Sequence, residues 1–131
     1  MTELKPGWTI GIGSPACLRL DDFGQWVAEA FGAVPYHVGS SAAGKTWRDV
    51  DVRLILPDDQ FAALFPGYAR AHGSDARWQI LCAAMSGEAE RMTGLPVDFQ
   101  FQSQAEASAK FGDQVRVPLM RIRSPDPEEE T

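Results

Sequence analysis

Between Arg48 and Leu56 the chain reads RDVDVRLIL, and this alternation constrains the fold more than any other segment. In an extended strand successive side chains leave on opposite faces. Asp49, Asp51 and Arg53 therefore share one side, and Val50, Val52 and Leu54 the other. The pattern predicts a strand with a polar working face and a buried back. LPVDFQFQ (95–102) alternates in the same way, with Asp98, Gln100 and Gln102 on one side and Val97, Phe99 and Phe101 on the other.

The segments around these strands carry helix signals. Asp21 or Asp22 is placed to cap a helix with Phe23, Trp26, Val27, Ala30 and Phe31 on its apolar face and Gly32 as its stop. VPYHV (34–38) is short and β-prone. PDDQFAALF (57–65) opens with Pro and two acids, as helix N-termini prefer. GYARAHGS reads as loop. Ser74 or Asp75 then starts a longer helix with Trp78, Leu81, Cys82, Met85, Ala89 and Met92 on one face and Gly94 past its end. Ser103 caps a further short helix, and Pro118 confines a last strand to a sheet edge or a loop. The expected class is α+β, a mixed sheet with packed helices.

A chain of 131 residues with 44% hydrophobic content supports one globular domain. The net charge of −6 is largely a tail effect: SPDPEEET (124–131) holds four acids and no base, and without it 12 basic residues face 14 acidic ones. The body is nearly neutral, which excludes a broad basic surface for duplex DNA. The tail has nothing apolar to bury and is expected to be disordered, leaving 1–123 as the domain. Cys17 and Cys82 form no C-x-x-C pair and read as buried free thiols. No apolar run approaches the length of a membrane span, and Pro and Gly interrupt the N-terminal segment where a signal peptide needs an apolar core. A cytoplasmic location is expected. Two distant histidines, His37 and His72, make no zinc site.

Two phosphate sites compete for the residues before the first strand. Gly39 to Thr46 satisfy G-x-x-x-x-G-K-[ST], the phosphate-loop pattern. A phosphate loop, however, feeds a long helix whose N-terminus helps to cradle the phosphates. Here a strand pattern follows Lys45 and Thr46 within three residues, leaving no room for that helix. The other arrangement uses Gly39 for close backbone approach to a triphosphate, with the Ser40 hydroxyl and nearby amides as donors. Asp49 and Asp51 then project side by side towards divalent ions, and Asp98 from the second strand completes a carboxylate set for in-line phosphoryl transfer. The plain alternative is that Asp49 and Asp51 are solvated residues of an edge strand.

Gly39, Ser40, Ala42 and Gly44 follow a G-S-x-A-x-G turn, and RDVDV follows a D-x-D strand. Together they resemble the DNA polymerase β-like nucleotidyltransferase superfamily, most of all its minimal members, which include phage-encoded and toxin-type enzymes. The likeness covers roughly residues 34 to 102; the chain departs from it at Ala43, where a basic residue is frequent, and at Arg48, where a serine is. The resemblance implies a single-domain nucleotidyltransferase fold with helices on one face of a mixed sheet. It implies Mg²⁺ or Mn²⁺ on Asp49, Asp51 and Asp98, with Asp98 also helping to deprotonate the acceptor. Gly39 and Ser40 would hold the phosphates of an NTP, while Lys45 and Arg53 either neutralise phosphates or balance the aspartates. The expected reaction moves an NMP to an acceptor hydroxyl on RNA, protein or a small molecule and releases pyrophosphate. The other class of function is a nucleotide- or partner-binding module of the same fold without turnover.

Overall fold

The computed structural model describes residues 15–39, 49–71, 75–111 and 116–119. Ser40, Lys45, Trp47, Arg48, His72 and the 124–131 tail lie outside the described residues. The elements run α1 (Ala16–Phe31), β1 (Tyr36–Val38), β2 (Val50–Leu56), α2 (Asp58–Leu64), α3 (Tyr68–Ala71), α4 (Ala76–Thr93), β3 (Val97–Ser103), α5 (Gln104–Phe111) and β4 (Val117–Pro118). The class is α+β, built on a four-stranded mixed sheet ordered β3-β2-β1-β4. β2 and β3 are parallel, while β1 runs antiparallel to both β2 and β4. Pro118 takes the edge position that its missing N–H requires.

Alternation fixes the strands as expected. Val50, Val52, Leu54 and Leu56 are fully buried, and Val97, Phe99 and Phe101 share their core. Leu20, Phe23 and Val27 of α1, Phe61 of α2, and Cys82 and Ala89 of α4 join it, with Phe65 and Leu119. Edge-to-face ring pairs tie α1 to β3: Phe23 to Phe99 at 5.9 Å and Phe31 to Phe101 at 5.3 Å. Gln102 keeps the side of Asp98 and Gln100, in register with Ile55, but is buried there.

α1 corrects two expectations. The helix begins at Ala16 after Pro15, so Asp21 and Asp22 lie inside it rather than at its cap. Its buried stripe is Leu20, Phe23, Gly24 and Val27, while Trp26 is 64% exposed. At 100° per residue this stripe is rotated away from Trp26 and Ala30 and centred between Leu20 and Val27, with Gly24 at its edge. One non-local contact lies on this stripe. Gly24 lies against Leu119 beyond β4, and a Cβ added there would meet Leu119 Cβ at 2.5 Å.

α3 is a second correction: the segment read as loop holds a four-residue helix, with Tyr68 packed on the rings of Phe61 and Trp78. α4 follows expectation. Asp75 accepts the Trp78 N–H at its start, and Gly94 closes it with φ +76°. Ser103 caps α5 by accepting the Glu106 N–H at 3.1 Å. Cys82 is buried and Cys17 only half-buried, so the expected burial fits one thiol of the two; both are free.

β3 is an outer strand, and α4 covers its open edge with side chains. Trp78 donates from Nε1 to the Phe101 carbonyl at 2.9 Å. Ser86 Oγ accepts the Phe99 N–H at 2.9 Å, and Glu90 Oε2 accepts the Val97 N–H at 3.1 Å. The geometry explains the spacing. Four helical residues advance about 6 Å and two strand residues about 6.6 Å, so Ser86 and Glu90, four apart on a helix running back along the strand, meet Phe99 and Val97, two apart; the longer Trp78 indole reaches Phe101 from eight residues before Ser86. The edge is thereby closed to further strands.

Candidate functional site

The polar face of the sheet carries the acids. Parallel pairing of β2 and β3 sets Asp51 opposite Asp98, with Arg53 opposite Gln100 one step on. On the other side of β2, Val38 of β1 pairs with Asp51, which brings the Gly39 turn directly beside that carboxylate. Gly39 adopts φ +81°, a conformation that favours glycine. The approach is so close that a Cβ added at Gly39 would strike Asp51 Oδ2 and lie 3.2 Å from its Cγ. The glycine is thus required twice, by its backbone and by its neighbour.

Arg53 lies between the two strands. Its Nη1 donates to the carbonyls of Asp98 at 2.7 Å and Val52 at 3.0 Å. Its Nη2 lies 3.2 Å from Asp98 Oδ2 and 4.0 Å from Asp51 Oδ1. Side-chain exposure rises from 15% for Arg53 to 28% for Asp51 and 41% for Asp98, so the guanidinium forms the floor and the carboxylates the open side. Asp49 is exposed at the entry to β2.

Burial pushes the Asp51 carboxyl up to about 6. Arg53 opposes that shift, while the charges of Asp49 and Asp98 and a side-chain hydrogen bond with Asp49 add to it. Asp51 is therefore a carboxylate short of positive charge, and an added cation would favour its ionised form. Carboxylate oxygens are the hard donors that Mg²⁺ and Mn²⁺ prefer, so the residue types fit the ion the resemblance implies. Among the described residues, however, no three His, Cys, Asp or Glu side chains gather closely enough to hold a metal. The strand register brings Asp51 and Asp98 together, and Arg53 occupies the space between them.

His37 pairs with Val52, shares its core-facing side, and is fully buried. Desolvation lowers its pKa to about 4, so it is neutral at pH 7. Cys82 is likewise a core group, its thiol raised to about 11 by burial.

Arg53's engagement with β3 was the feature least visible in sequence. A single arginine on an alternating strand shows the face it shares, not the neighbouring strand it reaches. Ser86 and Glu90 are also invisible to a hydropathy stripe, which ignores the polar members that bind backbone.

The chain matches no family model, no curated protein and no solved structure. What points to a function is the residues of this face and the motifs that lead into it.

Proposed function

We propose that the face bearing Asp49, Asp51 and Asp98 is the active site of a nucleotidyltransferase. It would move a nucleoside monophosphate from an NTP to an acceptor hydroxyl on RNA, protein or a small molecule. The bond between the acceptor oxygen and the α-phosphorus forms, the α–β anhydride breaks, and pyrophosphate leaves. Mg²⁺ or Mn²⁺ held there would supply charge neutralisation for the triphosphate and lower the pKa of the acceptor hydroxyl. Asp49 and Asp51 would hold the ion. Asp98, the more open of the paired carboxylates, takes the acceptor's proton. Gly39 lets the backbone lie against the Asp51 carboxylate, and the turn it opens, with Ser40 and Lys45, would meet the phosphates.

The observation that carries this reading is the convergence of Gly39, Asp51 and Asp98 on one sheet face: Gly39 against the Asp51 carboxylate, Asp51 in register with Asp98. The motif order G-S, D-x-D, then a third acid on a neighbouring strand is the order the resemblance requires. A phosphate-loop NTPase remains the weaker alternative, for the reason given by the sequence: β2 starts at Val50, four residues after Thr46.

A second reading is favoured by one contact. Arg53 bonds Asp98 at 3.2 Å, as a protein that keeps the fold but has replaced ion binding with a salt bridge would do. Such a protein would bind nucleotide or a partner without turnover. Incubation with each labelled NTP and a panel of acceptors, followed by pyrophosphate detection and mass spectrometry, separates the two. Transfer with a mass gain of one NMP supports the enzyme. Binding without pyrophosphate under all conditions supports the module.

A further inference from the structure

We propose that Arg53 is a fixed cation built into this acidic face, a positioning residue for Asp98 and not a ligand for the nucleotide's phosphates. The inference rests on the reading of the face as a divalent-ion site and adds a consequence: the protein takes free divalent ions weakly, because part of the charge they would neutralise is already balanced.

Three observations carry it. First, two of the guanidinium's hydrogen bonds go to backbone carbonyls, Asp98 at 2.7 Å and Val52 at 3.0 Å. Backbone oxygens of paired strands do not move away when a carboxylate changes partner, so these bonds persist whatever binds to Asp98. Second, Arg53 is the most buried charge of the group, at 15% side-chain exposure against 28% and 41% for Asp51 and Asp98. A phosphate arriving from solvent meets the carboxylates first. Third, the planar fork is what this geometry uses: Nη1 takes the two carbonyls while Nη2 turns to the carboxylates. A lysine ammonium offers no such fork.

The consequence follows from Coulomb's law. A fixed positive charge a few ångströms from a divalent ion opposes its binding, by about tenfold in affinity even at the dielectric constant of water. A triphosphate brings negative charge of its own and offsets that repulsion, so metal is expected to load with the nucleotide and not ahead of it.

The test uses Mn²⁺ alone, with free ion followed by electron paramagnetic resonance, on the wild type, Arg53→Gln and Arg53→Lys. A second titration uses an NTP with a non-hydrolysable α–β bridge at saturating Mn²⁺. Circular dichroism establishes that each variant is folded. Arg53→Gln should bind Mn²⁺ about tenfold tighter than the wild type, while its nucleotide affinity stays within about twofold. A merely structural role would not raise the affinity for an ion. If Arg53→Gln does not fold, Arg53→Lys decides: it keeps the charge but loses the fork, so nucleotide affinity should stay within about twofold while Mn²⁺ affinity stays near or rises above wild type. Unchanged Mn²⁺ affinity with a tenfold or greater loss of nucleotide affinity in either variant would make Arg53 a phosphate ligand and overturn the inference, leaving the metal-site reading intact. Absence of Mn²⁺ binding, with and without nucleotide, in the wild type and both variants would overturn both.

Discussion

Asp51 and Asp98 stand opposite one another on neighbouring parallel strands, and one guanidinium, that of Arg53, reaches both. This relationship links the sheet topology to the proposed chemistry. Only a parallel β2–β3 ladder in this register sets the two carboxylates side by side on the polar face while Val52 and Phe99 lie buried behind it. A slip of one residue would turn Asp98 into the core.

The Gly39 turn gives the first prediction. Gly39→Ala should destabilise the protein by about 2 kcal/mol or more, from the cost of a positive φ and from collision with Asp51 Oδ2. In an Asp51→Ala background the collision partner is gone, and the penalty should fall towards about 1 kcal/mol of backbone strain. Urea denaturation of the four proteins in this cycle measures the difference. Equal penalties in both backgrounds would show that the close approach carries no energy.

The α4 clasp on β3 gives a second. Ser86→Ala removes the acceptor of the Phe99 N–H and should cost about 1 kcal/mol. Amide hydrogen exchange offers a sharper readout. Protection at Phe99 should drop in Ser86→Ala, and protection at Val97 in Glu90→Ala, each with the other amide largely unchanged. Loss of protection across the whole strand in either variant would mean that packing, and not these bonds, closes the edge.

Much of this architecture is legible in the sequence, and the exceptions share a cause. The period of two in RDVDVRLIL and LPVDFQFQ marks β2 and β3 and the faces of Asp51, Arg53 and Asp98, because pleating is a local property. Asp75, Gly94 and Ser103 mark helix ends for the same reason: caps are short-range hydrogen bonds and backbone conformations. The orientation of α1 is not local. Gly24 adds nothing to a hydrophobic stripe, yet it lies against Leu119, ninety-five residues away, while Trp26 stays exposed. The acids Asp21 and Asp22 imitate a cap that the helix, starting at Ala16, does not need. At the site, the alternation names the charged residues, but the partner of Arg53 depends on which strand lies next to β2.

One buried and one half-buried titratable group should give opposite pH signatures. His37 has a folded pKa depressed from 6.5 to about 4, so the unfolded chain binds more protons in that window and its contribution to stability is lost as pH falls. Asp51 has a folded pKa raised from 3.8 to about 6, so the folded state binds more protons there and its contribution is lost as pH rises. Relative to the wild type, His37→Leu should therefore gain stability between pH 7 and pH 4.5. Asp51→Asn should gain between pH 4.5 and pH 7. Each change is expected to be about 1–2 kcal/mol after allowance for solvent screening. Urea midpoints at the two pH values test the signs, and a reversed sign for either variant would contradict the burial assigned to that side chain.

Calorimetric titration of each of the four common NTPs, with and without Mg²⁺, tests the nucleotidyltransferase site most directly. At least one NTP should bind the wild type only when metal is present. That binding should vanish in the Asp49→Asn/Asp51→Asn double variant and survive, weakened, in Asp98→Asn, which retains the D-x-D pair. Binding of equal strength with and without Mg²⁺, or binding undiminished in the double variant, would contradict the assignment of this face as a metal-dependent nucleotide site.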